Sequence, residues 1–246
     1  MINRRLLTSG LLASLATGLS ACGGGSPLGG NKPSGRAKAG QDDWKKSFSN
    51  SNYTGTDPAT RKKRTSPATV AELMEPSPLK EMTLGRADAK VTMIEYFSPT
   101  CPICHAFHQK TWPTFKRTYV DSGKVLYIAR EFPIGHASGN AALAIRCDES
   151  LYFQLLNAYL AQQGRWVSQE VRLGAIHSIA APYGLTRAKF DTCLANQALI
   201  KGITDVKQRG RDLGVIGTPT FFINGKQLRG ALTMAILRAE IDPLLV

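Results

Sequence analysis

The hydrophobic pattern is densest between Val91 and Phe97, where β-branched, aliphatic or aromatic side chains fill nearly every position. Such a run reads as a strand buried on both faces. Ser98-Pro99-Thr100 breaks it, and Cys101-Pro102-Ile103-Cys104 opens a helical pattern through Phe107, Trp112, Phe115 and Tyr119. Pro102 stands where a first helical turn tolerates proline. Pro113 should kink or split the helix. Asp121 to Gly123 is a turn, and Val125 to Ala129 a second strand, which makes a β-α-β unit with parallel strands and a right-handed crossover.

From Ala137 to about Leu213 the period becomes helical. Leu151, Leu155, Leu156, Tyr159 and Leu160 share one face. Ser168 is positioned to cap a helix through Val171, Ile176 and Ile179, and Thr186 another through Phe190, Cys193 and Leu194. A further helix runs through Leu199, Ile203 and Val206 until Gly214 stops it. Gly217 to Ile223 then reads as loop into strand. Asn224-Gly225 predicts a tight hairpin returning through Lys226 to Arg229, and Leu232 to about Ile241 a last helix. The class is α/β, with a helical insert at about residues 137–213.

The first 68 residues follow another logic. Arg4 and Arg5 precede an apolar run from Leu6 to Ala21, the shape of an export signal and short for a membrane span. Leu19-Ser20-Ala21-Cys22 resembles the lipobox of bacterial lipoproteins, which implies lipidation of Cys22. An ordinary signal cut near Ala21 is the alternative. The arginine pair leaves Sec and twin-arginine export both open. Residues 23–68 are rich in Gly, Ser, Asn, Pro and Lys and carry too little apolar surface to offset ordering entropy, so a disordered linker is expected.

Charge sharpens this division. The 246 residues carry 31 Lys and Arg against 18 Asp and Glu, a net of +13. Between Asn31 and Ala68 alone there are nine basic and three acidic residues, an excess of six. A basic arm beside a lipidated cysteine suits anionic lipid, while a solvated linker without a partner accounts for it equally well. Nucleic acid is disfavoured by the export signal and by the lack of any binding motif. An overall composition of 43% hydrophobic and 20% charged residues excludes a wholly disordered chain. No second apolar run is long enough for a multi-pass membrane protein.

Cys101 at a helix N-terminus faces unpaired N–H groups and the positive end of the helix dipole, both of which favour thiolate. Free cysteine titrates at about 8.5, and such settings lower this to roughly 3.5–7.5. A thiolate attacks a disulfide through a mixed disulfide, and a second cysteine one turn on resolves it. Glu95 is a carboxylate in an otherwise apolar strand. Burial favours its protonated form and fits it for proton transfer with Cys104. A strand-end Glu paired with a surface Lys or Arg is the plainer reading. Cys147 and Cys193 remain as an even pair in an exported chain. A bond between them is worth up to about 4 kcal/mol in the chain-entropy model, whereas two buried small hydrophobes are the alternative.

The segments Phe97-Ser-Pro-Thr-Cys101-Pro-Ile-Cys104 and Gly217-Thr218-Pro219-Thr220 resemble the DsbA-type branch of the thioredoxin superfamily, over roughly residues 78–246. The resemblance implies a thioredoxin-like fold with an inserted helical subdomain. It implies that Cys101 is the nucleophile, Cys104 the resolving cysteine and Glu95 the buried acid six residues before the first cysteine. It implies a cis Pro219 facing the disulfide. A cis bond there exposes backbone to which an extended substrate adds as a strand, with Thr218, Pro102 and Ile103 lining the contact. DsbA itself carries His where this chain has Ile103. Isoleucine offers the thiolate neither cation nor donor, so a weaker oxidant than DsbA is expected. His105 lies about 100° further round the helix and does not replace it.

Other classes compete for the same residues. Cys101-x-x-Cys104-His105 also spells c-type haem attachment, with His105 and one of Met74, Met82, Met93 or Met234 as axial ligands. A metal site through Cys101, Cys104 and His108 lacks a second ligand pair at standard spacing. His136 and His177 read as surface or core residues. A chaperone of the same fold that only binds unfolded chains would not need both cysteines. The expected function is therefore an extracytoplasmic, lipid-anchored and monomeric thiol–disulfide oxidoreductase without a cofactor. It acts on reduced or unfolded exported proteins and is reset by a membrane redox partner. Reduction or isomerisation is the alternative direction.

Overall fold

The computed structural model describes residues 66–246, so Cys22, the export signal and most of the linker lie outside the described residues. The chain enters through helix α1 (Val70–Met74). Its first turn is closed by reciprocal bonds between Thr69 and Glu72, each side chain reaching the other's backbone N–H. Strand β1 (Met82–Leu84) follows, then β2 (Val91–Phe97) and helix α2 (Pro102–Lys110). The helix breaks at Thr111 and resumes as α3 (Trp112–Phe115), with Pro113 in its first turn. A wider π turn over Lys116–Val120 leads into β3 (Val125–Glu131).

The insert comprises α4 (His136–Arg146), α5 (Tyr152–Ala161), α6 (Gln163–Trp166), α7 (Leu173–Ala180), α8 (Arg187–Ala195) and α9 (Gln197–Asp212). Strands β4 (Thr220–Ile223) and β5 (Lys226–Arg229) form the hairpin, and α10 (Met234–Ile241) closes the chain. Asn224 and Gly225 both have positive φ, 42° and 92°, as a two-residue turn between twisted strands requires.

The five strands lie in the order β1-β3-β2-β4-β5. The pair β2–β3 is parallel and the others antiparallel. Because side chains alternate across a strand, β2 serves two cores. Val91, Met93 and Phe97 join the front cluster with Cys104, Phe107 and most of the insert. Ile94 and Tyr96 join the back cluster with Leu73, Phe132, Val206 and Phe222. Helix α9 passes from one to the other: Ile200 and Ile203 pack in front, Val206 behind. At Gly210 a Cβ would stand 2.8 Å from the Tyr96 ring, so only glycine lets the helix lie this close to the sheet.

One helix starts later than the sequence expectation. The helix through Ile176 and Ile179 starts at Leu173, with Arg172 at its cap position and Val171 outside it. The Ser168 hydroxyl is spent locally, donating to the Glu170 carbonyl, and so caps nothing. Strands and helices as short as β1 and α1 show no period to read. Thr186 does cap α8, by accepting from the Lys189 N–H.

Candidate active site

The central strand β2 delivers the chain to the C-terminal end of the sheet, and α2 carries it back across the front face. Cys101 falls at the junction as the N-cap of α2, with extended backbone (φ −74°, ψ 120°). Pro102 follows at the first helical position, where its missing N–H is no loss. Ile103 points outward and is 46% exposed. Cys104 is fully buried.

The two thiols are driven apart. The Cys101 thiol is brought down to about 6, most of all by the hydrogen bond from Cys104, although partial burial opposes. The Thr218 hydroxyl and the backbone N–H groups of Cys104 and Ile103 contribute further. The Cys104 thiol is pushed well above its ordinary value, first by burial, then by its neighbour's sulfur and by the charge of Glu95. Near neutral pH the Cys101 sulfur therefore ionises readily, while Cys104 holds its proton.

The Thr218–Pro219 bond is cis, and its loop closes over the sulfur. The Cys101 thiol donates to the Thr218 carbonyl at 3.2 Å. The Thr218 hydroxyl is buried and has no partner beside the thiol, which leaves it free to donate to the thiolate. Pro219 itself is buried.

Glu95 is buried on the front face of β2, without the surface partner that the plainer reading required. The His108 Nε2 lies 3.0 and 3.2 Å from its two carboxylate oxygens, and the Tyr127 hydroxyl donates to it at 2.5 Å. Burial first, then the Glu95 charge, pushes the Tyr127 hydroxyl well above its ordinary value, so it stays a donor. His108 enters the sequence argument only as a possible metal ligand. Its place four residues after Cys104, on the same helical stripe, is the signal that points to this role instead.

The insert also holds the site. Gln163 on α6 donates to the carbonyls of Pro99 and Cys101 at 2.8 and 3.0 Å. The Ser138 hydroxyl on α4 meets that of Ser98 at 2.7 Å, and Ser98 accepts from the Ile134 N–H. Neither contact has a signature in sequence. Cys147 and Cys193 are joined by a disulfide, Cα atoms 5.7 Å apart, which ties the end of α4 to α8.

The competing readings fare differently. The His105 ring is bonded to the Leu160 carbonyl at 2.6 Å, and the sulfur beside it is enclosed, which does not suit thioether attachment of a haem. His177 is satisfied by the Leu185 carbonyl and packs at a tilt against the Phe190 ring. His136 opens α4. Among the described residues no cluster of three or more His, Cys, Asp or Glu is placed to hold a metal ion. No helix among them is long and apolar enough to cross a membrane.

A family model described as Thioredoxin matches residues 77–243. A Rickettsia conorii protein named as a protein-disulfide oxidoreductase is 34% identical over 152 residues, which cover 60% of this chain and 54% of the relative. A Rickettsia typhi protein with the same description is 33% identical over 150 residues, 60% of this chain and 56% of its own length. The chain thus spans about half the length of the curated relatives it matches. Among solved structures, alpha-DsbA1 of Wolbachia pipientis superimposes with a TM-score of 0.67 at 30% identity, covering 72% of this chain and 96% of that one. A protein-disulfide isomerase of Novosphingobium aromaticivorans gives 0.58 at 29% identity, covering 67% and 97%.

Proposed function

This chain belongs to the thioredoxin family, in its DsbA-type branch, and on that footing we propose that Cys101 and Cys104 exchange disulfides with exported proteins. The observation that carries the reading is the Cys101 sulfur: at the tip of α2, bonded to the backbone before Pro219, with its thiol brought down to about 6.

In the oxidising direction the cycle starts from a Cys101–Cys104 disulfide. A substrate thiolate attacks the Cys101 sulfur, the bond to Cys104 breaks, and Cys104 leaves as a thiolate that takes a proton from Glu95. A second substrate thiolate then attacks the substrate sulfur of the mixed disulfide. Cys101 departs as a thiolate, the form its surroundings favour, and the substrate keeps the new disulfide. Two electrons have passed from substrate to enzyme, and a membrane redox partner takes them up again.

The substrate class follows from the rim. Ile103, Ile134 and Ile216 stand exposed on α2 and on the loops that flank Cys101. Thr218 and Pro219 present an edge of backbone beside them. An extended chain with apolar side chains, as an unfolded protein offers, fits such a surface. Residues 1–22 as an export signal, Cys22 as lipid anchor and 23–68 as a basic linker would hold a monomeric domain of residues 69–246 outside the cytoplasm, near anionic lipid. The +13 net charge supports this arrangement. Nucleic acid and cofactors have no part in it.

Ile103 favours a second reading, reduction or isomerisation, because it leaves the thiolate without a side-chain donor at that position. The reduction potential of the Cys101–Cys104 couple separates the two. Thioredoxin lies near −270 mV and DsbA near −120 mV. We expect a value between them and nearer the oxidising end; one near thioredoxin's overturns the oxidase direction.

A further inference from the structure

A histidine sealed inside a domain is costly unless its ring nitrogens are used. The His108 side chain is 1% exposed. It sits on α2 one turn beyond Cys104, between the rings of Phe107 and Trp112, each 5.4 Å away. Its Nε2 addresses both oxygens of Glu95, on β2. Its Nδ1 is buried without a partner among the described residues. With Nδ1 accepting nothing and donating nothing, the contact to Glu95 is what the ring is held for. From β3 the Tyr127 hydroxyl reaches the same carboxylate, and from α5 Tyr152 lies within range of its charge. Glu95 is thus gripped from a helix and from the neighbouring strand, and it stands close enough to Cys104 to raise that thiol.

We propose that His108 is a positioning residue for the proton step of exchange: its Nε2–H orients the Glu95 carboxyl, which passes one proton back and forth with the Cys104 sulfur. The inference rests on Cys101–Cys104 being the exchanging pair. When substrate attacks Cys101, the electron pair of the Cys101–Cys104 bond leaves on Cys104, and the Glu95 carboxyl gives that sulfur its proton. When Cys104 later attacks a mixed disulfide on Cys101, the Glu95 carboxylate takes the proton back. A Cys104–Cys101 bond forms, and the partner's thiolate leaves with the electrons. The proton closes its own loop within each turnover. A carboxyl turned away from Cys104 would have to exchange through solvent, which the buried sulfur does not meet.

The test uses the full chain with a cysteine peptide trapped on Cys101, and follows the rate at which Cys104 displaces it across pH. His108→Leu removes the donor. It should slow displacement about tenfold, less than the roughly 10²–10⁴-fold a general acid–base group itself contributes because His108 acts only through Glu95, and flatten the pH profile. His108→Gln keeps an N–H at similar reach and should recover most of the rate. In a Glu95→Gln background, His108→Leu should add nothing, because residues acting through one another are not additive. Should the Leu variant fail to fold, His108→Phe keeps the ring volume without the donor and reads the same quantity. Displacement as fast as wild type, or a loss that multiplies with Glu95→Gln, overturns the role of His108. A wild-type chain that exchanges no disulfide with the peptide overturns instead the reading of the cysteine pair.

Discussion

Adjacent positions on β2 and β3 set two buried ionisable clusters back to back. Tyr96 and Arg130 are cross-strand partners and point behind the sheet; Glu95 and Ala129, one step earlier, point in front. Arg130 is almost completely satisfied. Its guanidinium donates to both Glu81 oxygens, to the Tyr96 hydroxyl and to the Leu73 carbonyl at the end of α1. Burial alone would lower its pKa, and these partners outweigh that. The front cluster is left incomplete: a bare His108 nitrogen, an orphaned Thr218 hydroxyl and two thiols displaced in opposite directions. A buried charge with every donor used fastens structure together. One whose partners fall short retains capacity for a proton or a new bond, and it is there that the proposed exchange would have room to occur.

The largest effect that separates the faces is on Cys101 itself. Cys101→Ser should abolish transfer of disulfides to a dithiol peptide while leaving the melting temperature of the reduced protein within a few degrees. Residual turnover would move the chemistry elsewhere and dissolve the contrast. Arg130→Met inverts the pattern. Breaking a buried pair costs about 3–5 kcal/mol, and the lower end is expected because Glu81 is partly exposed and can be rehydrated. Urea unfolding should show that loss. Iodoacetamide trapping of the surviving folded protein should still find Cys101 titrating at about 6. A displaced thiol would mean that the faces are coupled.

What could be read in advance follows the same division. The strand Val91–Phe97, the turn at Asn224-Gly225 and the cap at Thr186 are local, and residue type alone decides them. Glu95 is legible as an anomaly, a charge among apolar neighbours. Its grip is not: His108 and Tyr127 lie 13 and 32 positions away and meet it only because α2 crosses β2 and β3 pairs beside it. Gln163 reaches Cys101 across 62 residues because the insert brings α6 back to the start of α2. Ser168 fails as a cap because its hydroxyl finds a nearer carbonyl, a competition that propensity cannot rank.

A third test concerns the insert. Replacing Cys147 and Cys193 together by Ala removes a tie between α4 and α8 that should be worth about 2–4 kcal/mol. The neighbouring Arg146–Glu131 pair, held at 2.6 and 3.0 Å, would still fasten α4 to β3. Thermal unfolding should therefore fall by several degrees, with the exchange rate at 25 °C preserved. A slower exchange would show that the tie acts on Gln163 and the Cys101 loop.

The smallest effect is the most diagnostic for the front face, because it isolates one donor. Thr218→Val keeps the carbonyl that accepts from the Cys101 thiol and removes the hydroxyl that favours its thiolate. The alkylation midpoint should rise from about 6 by less than one unit, which is about 1.4 kcal/mol at most. The sign carries over to stability. A thiol whose pKa is depressed by folding stabilises the reduced protein fully above the unfolded value, about 8.5, and loses that contribution as pH falls through about 6. The oxidised protein has no thiol to titrate there. Between pH 8.5 and 6 the reduced form should therefore lose stability relative to the oxidised form, and Thr218→Val should make the loss smaller and complete it at higher pH. If calorimetry of the two redox forms shows a parallel course with pH, Cys101 is not held as a thiolate, and the difference between the faces would rest on burial alone.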